Sequence, residues 1–270
     1  MRALGPPALE TLRAIVLAHI QRIPFENLDV LLGRPIRLDE PSILQKLVHD
    51  RRGGYCFEQN GLLLWVLQSL GYDVTPISAR VRLGRVRDFT PARSHAFLRV
   101  ELDGQSWLAD VGVGGLSPTA PLRLCTVHPE SDEVQDTPHE PRRLISEPGT
   151  PSERLFHQVR IAGEWQDVCE FTLEPMPLID REVANWFTSA HPASHFRNRL
   201  LVARAGPNGE RLTLLNREFT RRGGGDTGGA SAVEVTAITS PEHLLGVLAG
   251  EFGLVFPVGT TFLCDGLVWR

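Results

Sequence analysis

Cysteine is scarce in this chain. Four are spread over 270 residues, Cys56, Cys125, Cys169 and Cys264, with no CxxC pair. That spacing argues against a disulfide framework and a zinc cage. It fits a reducing compartment in which the thiols stay free, so a soluble, cytoplasmic protein is expected. Charge of one sign is also lacking: 28 basic and 32 acidic residues leave a net charge of -4. No basic excess points to nucleic acid, and no acidic tail is present. No uninterrupted apolar run approaches the roughly 18 residues that suggest a membrane span. The N-terminus "MRALGPPALETLRAIVLAHIQRIPFENL" has no signal-peptide apolar core. His128, His139, His157, His191, His195 and His243 show no metal-ligand spacing, and no metal is expected. What is present is a 42% hydrophobic chain, enough for one large domain or two or three packed subdomains.

The first 70 residues read as helical. Leu9, Leu12, Ile15, Val16 and Ile20 recur at helical spacing after Pro6-Pro7, and Pro24 ends that helix. A second helix is expected from about Pro41, and a third from near Cys56 to Leu70, closed by Gly71. The period then changes to two. "TPISARVRL" and "SHAFLRVEL" alternate, and "DG" after the latter predicts a two-residue hairpin turn into "QSWLADVGV". Further strands are expected at 155–161 and 165–173, joined at Ala162-Gly163. The polar, proline-rich "TVHPESDEVQDTPHEPRR" reads as an exposed loop. In the last third, "DREVANWF" reads as a short helix, and "RLLVAR" and "RLTLLN" flank a "PNG" turn. "RRGGGDTGG" reads as a glycine-rich loop and "SAVEVTAI" as a strand. "SPEHLLGVLAGEFG" carries a full set of helix signals: Ser240 as N-cap, Pro241 first, Gly253 past the end. Helices, then antiparallel strands, then a small α/β unit make an α+β pattern.

Cys56 follows two glycines, Gly53 and Gly54, which permit a tight turn at the start of a helical pattern. There, free backbone N–H groups and the helix dipole would favour a thiolate and could stabilise an oxyanion. A small buried apolar residue is the other reading of Cys56. The hairpin supplies a partner. With Asp103-Gly104 as a two-residue turn, paired residues sum to 207, so His95 faces Gly112 and Phe97 faces Asp110. His95 and Asp110 then share a face as diagonal neighbours, within hydrogen-bonding reach. A three-residue turn would reverse the parity and separate them. A histidine held by a carboxylate is what a cysteine nucleophile needs; a solvated charge pair is the plainer alternative. "VGVGG" at 111–115 opens no helical pattern, so a dinucleotide fold is not expected. The other three cysteines read as core or surface thiols.

"IPFENLDV" (23–30), "RGGYCFEQNGLL" (52–63), "SHAFLRV" (94–100) and "WLADVGVGG" (107–115) together resemble the arylamine N-acetyltransferases. The resemblance spans the whole chain in order and length and is strongest over residues 20–116. It implies a helical bundle over 1–75, a β-barrel-like domain over 76–178 and an α/β lid over 179–270. It implies a Cys-His-Asp triad of Cys56, His95 and Asp110, acetyl-CoA as donor, and a small arylamine, arylhydrazine or N-hydroxyarylamine as acceptor. The implied mechanism is ping-pong through a cysteine thioester. Phe25, Val81, Val113 and Phe196 resemble pocket positions. Ser94, Gly112, Gly114 and Gly115 match positions near CoA. Glu26 and Arg52 resemble a structural ion pair. A monomer or homodimer is expected, with no nucleic acid or membrane partner. One departure stands out: many relatives read DVGFG where this chain reads DVGVG, so Val113 implies a roomier acceptor pocket. An amide synthase acting on a polyketide-type acyl chain would carry the same triad. A cysteine hydrolase and a non-enzymatic thiol-bearing binding module are the remaining alternatives.

Overall fold

The computed structural model describes residues 6–124, 133–147, 154–223 and 232–269. The first amphipathic stretch forms α1 (Leu9–Arg22), which buries Leu12, Val16 and Ile20. Pro24 breaks it, and the next two residues form a short strand β1 (Phe25–Glu26), followed by α2 (Leu28–Leu31). Asp39 caps α3 (Glu40–Ile43) by accepting the Ser42 N–H at 3.1 Å, and a π-helical turn continues to His49. Then comes α4 (Cys56–Ser69), buried on nearly every side over its first nine residues. Such a helix needs apolar neighbours all round. Leu63, Leu64 and Leu67 pack with α1, while Leu62 packs with Ile43 and Leu47. Gly71, with φ 84°, ends the helical turn as expected.

The period-two region builds β2 (Asp73–Val81), β3 (His95–Leu102), β4 (Gln105–Ala109) and β5 (Leu122–Arg123). Beyond them lie β6 (Arg142–Glu147), β7 (Arg154–Ile161) and β8 (Glu164–Pro175). The seven pair antiparallel in the order β5-β4-β3-β2-β8-β7-β6. The sheet curls until it nearly closes, and Gln135 stitches its two ends. The Gln135 backbone pairs with Arg142 of β6, while its side-chain Oε1 accepts the Arg123 N–H of β5 at 2.6 Å. β3 is buried on both faces: Leu98, Val100 and Leu102 pack against α1 and α4, whereas Phe97 points into the barrel beside Phe171.

The expected hairpin register is present. Leu102 pairs with Gln105 and Leu98 with Ala109, and Asp103 and Gly104 both take positive φ, as a tight two-residue turn requires. Pairing stops at Ala109, so Asp110 leaves the ladder one residue beyond it.

The last third contributes α5 (Leu178–Ala190), α6 (His195–Asn198), β9 (Leu201–Ala205), β10 (Arg211–Leu215), β11 (Glu218–Arg222), β12 (Val233–Ala237) and α7 (Pro241–Phe252). Ser240 caps α7 by accepting the His243 N–H at 3.1 Å, and Gly253 closes it with φ 71°. Its Leu244, Leu248 and Phe252 cover the second sheet, whose order is β1-β9-β10-β11-β12. β1, from the first third of the chain, is thus an edge strand of the C-terminal sheet, with Phe25 opposite Ala203.

The proline-rich stretch before β6 departs from its reading as an exposed loop. Glu140 and Arg142 are buried, because ion pairing and carbonyl acceptors satisfy their charges inside the protein. Cys125, His128 and most of the glycine-rich stretch lie outside the described residues.

Candidate active site

Cys56 reaches its position through close packing rather than a glycine turn. Gly53 and Gly54 do not have left-handed φ; Arg51, at φ 52°, does. The glycines are needed for approach. A Cβ on Gly53 would fall 2.0 Å from Pro24 O, and one on Gly54 would fall 2.7 Å from Glu58 Oε2. The strip runs beside β1, where the Glu26 N–H donates to Gly54 O at 3.0 Å. Glu58 then accepts the Tyr55 N–H at 3.1 Å and pairs with Lys46 at 2.7 Å. The Arg52–Glu26 ion pair is present at 2.7 Å, its carboxylate fully buried. These contacts hold Cys56 as the first residue of α4, where backbone N–H groups lack intrahelical acceptors.

Within the barrel, His95 Nε2 lies 2.8 Å from Asp110 Oδ2. With Nε2 engaged by Asp110, Nδ1 is the ring nitrogen left free, and Cys56 and His95 line the same cavity, close enough for Cys56 to favour the charged imidazole. Cys56, His95 and Asp110 are all at most 3% exposed, so water does little to weaken their interactions. Burial by itself opposes a charged imidazole. The Asp110 charge, the Asp110 hydrogen bond and Cys56 together outweigh it and raise His95 to about 10. Burial likewise opposes a charged Asp110, yet His95, Asn60 and the Gly112 N–H hold it below the usual carboxylate range. The pair is therefore an imidazolium and a carboxylate at neutral pH.

Asn60 was not singled out by the sequence pattern. It sits one helical turn after Cys56 and wires α4 to both strands. Its Nδ2 donates to Asp110 Oδ1 at 3.0 Å and to Ala96 O at 2.8 Å, and its Oδ1 accepts the Val111 N–H at 3.0 Å. The only signal is its place four positions on from Cys56, on the same face of the helix. The Gly112 N–H is taken by Asp110 Oδ1 at 2.8 Å and the Val113 N–H by Ser117 Oγ at 3.0 Å. With these donors engaged, and the Glu58 and Gln59 N–H groups given to Tyr55 O, the Cys56 and Phe57 N–H groups at the start of α4 are the ones placed to face a developing oxyanion at Cys56.

A cavity of about 560 Å³ opens onto Cys56 and His95. Phe25, Val81, Val113 and Phe196 all line it, as do Ser94 and Gly112. The Cys56 thiol also donates to Ser94 O at 3.6 Å. Gly112 has no room for a side chain, since a Cβ there would sit 2.7 Å from Cys56 Cα. Gly114 and Gly115 are not among the lining residues. Gly114, at φ 78°, packs on the Phe25 ring, and Gly115 packs over Thr213 and Ala203. Asn27 sets the position of Phe196. Its Nδ2 donates to Phe196 O and Arg199 O, both at 2.7 Å, and its Oδ1 accepts the Leu201 N–H at 2.9 Å.

Beneath the turn after Asp110 lies a buried charge network. Arg142 donates to Leu116 O at 2.7 Å and pairs with Glu140 at 3.1 Å. Glu140 also receives Arg211 at 2.6 Å and Arg222. The network joins the barrel to the C-terminal sheet below the glycine turn.

A family model described as N-acetyltransferase matches residues 8–260, which makes the chain an acyltransferase. The "Arylamine N-acetyltransferase / N-hydroxyarylamine O-acetyltransferase" of Salmonella typhimurium is 41% identical over 251 residues, covering 93% of this chain and 84% of that protein. The Escherichia coli arylamine N-acetyltransferase is 42% identical over 91% of this chain and 82% of its own length. Among solved structures, the Mycobacterium marinum enzyme in complex with CoA superposes with a TM-score of 0.82 at 38% identity, covering 93% of this chain and 89% of that one. The chain belongs to the arylamine N-acetyltransferase family.

Proposed function

We propose that the chain moves an acetyl group from acetyl-CoA to the nitrogen of an arylamine, arylhydrazine or N-hydroxyarylamine, through a thioester on Cys56. The observation that carries this reading is the buried His95–Asp110 pair beside Cys56 at the wall of a largely apolar cavity. The names of the relatives and the CoA complex of one of them support the donor and acceptor classes.

In the first half-reaction the Cys56 thiolate attacks the acetyl carbonyl. The Sγ–C bond forms, the bond from carbon to the CoA sulfur breaks, and CoA departs with the proton held by His95. Thiolate replaces thiolate, so the exchange is nearly balanced in energy. In the second half-reaction the amine nitrogen attacks the thioester, the C–Sγ bond breaks, and His95 takes the amine proton. Cys56 and His95 return to their starting charge state. An aromatic amine suits this site because it is weakly basic and arrives neutral. Asp110 fixes the imidazole orientation and supports its charge throughout. Ser94 and Gly112 border the donor path, and Gly114 and Gly115 act by shaping the turn beside it. In this reading residues 1–75 carry the nucleophile, 76–178 the histidine and aspartate, and 179–270 the lid.

Steady-state rates measured while both substrates are varied test the order. Parallel double-reciprocal lines are expected; lines that intersect would mean a ternary complex and contradict the thioester route.

Val113 lines the cavity, and in this reading it faces the acceptor. Val113→Phe is therefore expected to lower turnover of bulky arylamines relative to small ones, roughly 10-fold for a filled pocket. Unchanged relative rates would remove Val113 as a selectivity determinant.

A further inference from the structure

The far end of the cavity carries charge that the acetyl-transfer chemistry does not use. Arg85, in the segment after β2, and Arg199, just after α6, both line it, and both are exposed. Neither forms an ion pair among the described residues, and no Asp or Glu lines the cavity. Arg82 nearby is different: it is buried, donates to Phe89 O at 2.8 Å and pairs with Glu170 at 3.2 Å. The Arg85 guanidinium has the Phe89 ring and the His195 lone pair, with Nη2 to Nε2 at 2.6 Å. An acceptor imidazole must be neutral there. Burial, then Arg85 and Arg199, lower the pKa of His195, which keeps it so. The mouth thus holds two guanidinium groups around a neutral acceptor, with no anion of the protein's own.

We propose that Arg85 and Arg199, with His195 beside them, form an anion-recognition site at the cavity mouth that takes a phosphate group of the acetyl donor. The proposal rests on the reading that Cys56 is acetylated by acetyl-CoA. Cys56 is 3% exposed at the inner end, whereas both arginines are exposed at the outer end. A ligand that engages both ends must be long, uncharged at its reacting end and anionic at its far end. A CoA thioester has that layout, and a small aryl amine does not. The planar guanidinium presents paired donors that match phosphate oxygens. A positive mouth without acidic residues also raises the encounter rate for an anionic donor.

The test compares acetyl-CoA with S-acetylpantetheine, which has the same thioester and no phosphate. Arg85→Gln and Arg199→Gln are each expected to raise KM for acetyl-CoA roughly tenfold, with kcat nearly unchanged and with S-acetylpantetheine unaffected. Arg85→Lys is expected to recover part of the loss. Calorimetry with CoA alone gives a readout that needs no acetyl transfer: the double variant should bind CoA at least about tenfold more weakly than wild type. If wild type binds CoA in this arginine-dependent way but forms no acetyl-enzyme, the thioester reading fails while the anion site stands. Equal shifts for both donors, or no shift, would overturn the site. So would a KM increase confined to p-aminobenzoate relative to aniline, which would assign the charge to the acceptor instead.

Discussion

Cys56→Ala is expected to abolish acetyl transfer, lowering kcat/KM by about 10⁴-fold or more while leaving the fold intact. The expectation follows from what the residue does and does not support. Its sulfur contacts Ser94 O and lies beside His95, and its backbone begins α4. Alanine keeps that backbone and is a good helix former, so the helix start is preserved. The cost of removing one small buried thiol is a fraction of the core. What disappears is the one atom that can carry the acetyl group. Amine acetylation followed by chromatography, with thermal unfolding as a control, reads both parts. Substantial residual transfer by a folded variant would mean that acetyl passes directly from donor to acceptor.

Asp110→Asn is expected to cost roughly 10³- to 10⁴-fold in kcat/KM, through charge rather than shape. Asparagine can keep contacts to Asn60 and to the Gly112 N–H, but it cannot stabilise an imidazolium. In wild type, burial pushes the His95 pKa down, and Asp110 is the largest influence pushing it up, to about 10. With that charge gone, burial is opposed by Cys56 alone, and the His95 pKa falls. The sign matters for stability too. A histidine with a raised pKa stabilises the fold fully below pH 6.5 and loses that contribution as pH rises through about 10. The variant should therefore show its stability deficit below pH 6.5 and lose it toward pH 10. Titration of the His95 imidazole by NMR in both proteins gives the shift directly. An unchanged pKa would mean that Asp110 is not what holds the proton on His95.

Much of this site is legible in the sequence, because short-range rules determine it. Asp103-Gly104 specified a two-residue turn, the turn specified the register, and the register put His95 and Asp110 on one face. The caps of α7 were equally local. The contact of Cys56 with His95 was not legible, since it depends on how α4 packs across β3. Gly53 and Gly54 looked like a turn, yet their reason for being glycine is Pro24 and Glu58, contacts that only the packed chain creates. β1 reads in the sequence only as the break after a helix, because a two-residue strand has no periodicity to detect. Its partner, β9, lies more than 170 residues away along the chain. The stretch containing Glu140 and Arg142 read as exposed because polar composition implies solvent. Arg142, Arg211 and Arg222, from β6, β10 and β11, instead converge on Glu140, and carbonyl oxygens take further Arg142 donors. Asn60 and Asn27 escape notice for a related reason: each stands beside other polar residues, Glu58 and Gln59 or Glu26 and Asp29, and acquires meaning only from the backbone groups it meets.

The central claim is that Cys56 carries the acetyl group between two half-reactions. Intact-mass spectrometry after rapid mixing with acetyl-CoA, with no amine present, tests it most directly. The account predicts a gain of about 42 Da on wild type, none on Cys56→Ala, and loss of the adduct on adding an arylamine. No adduct on wild type at any quench time, or the same gain on Cys56→Ala, would contradict it.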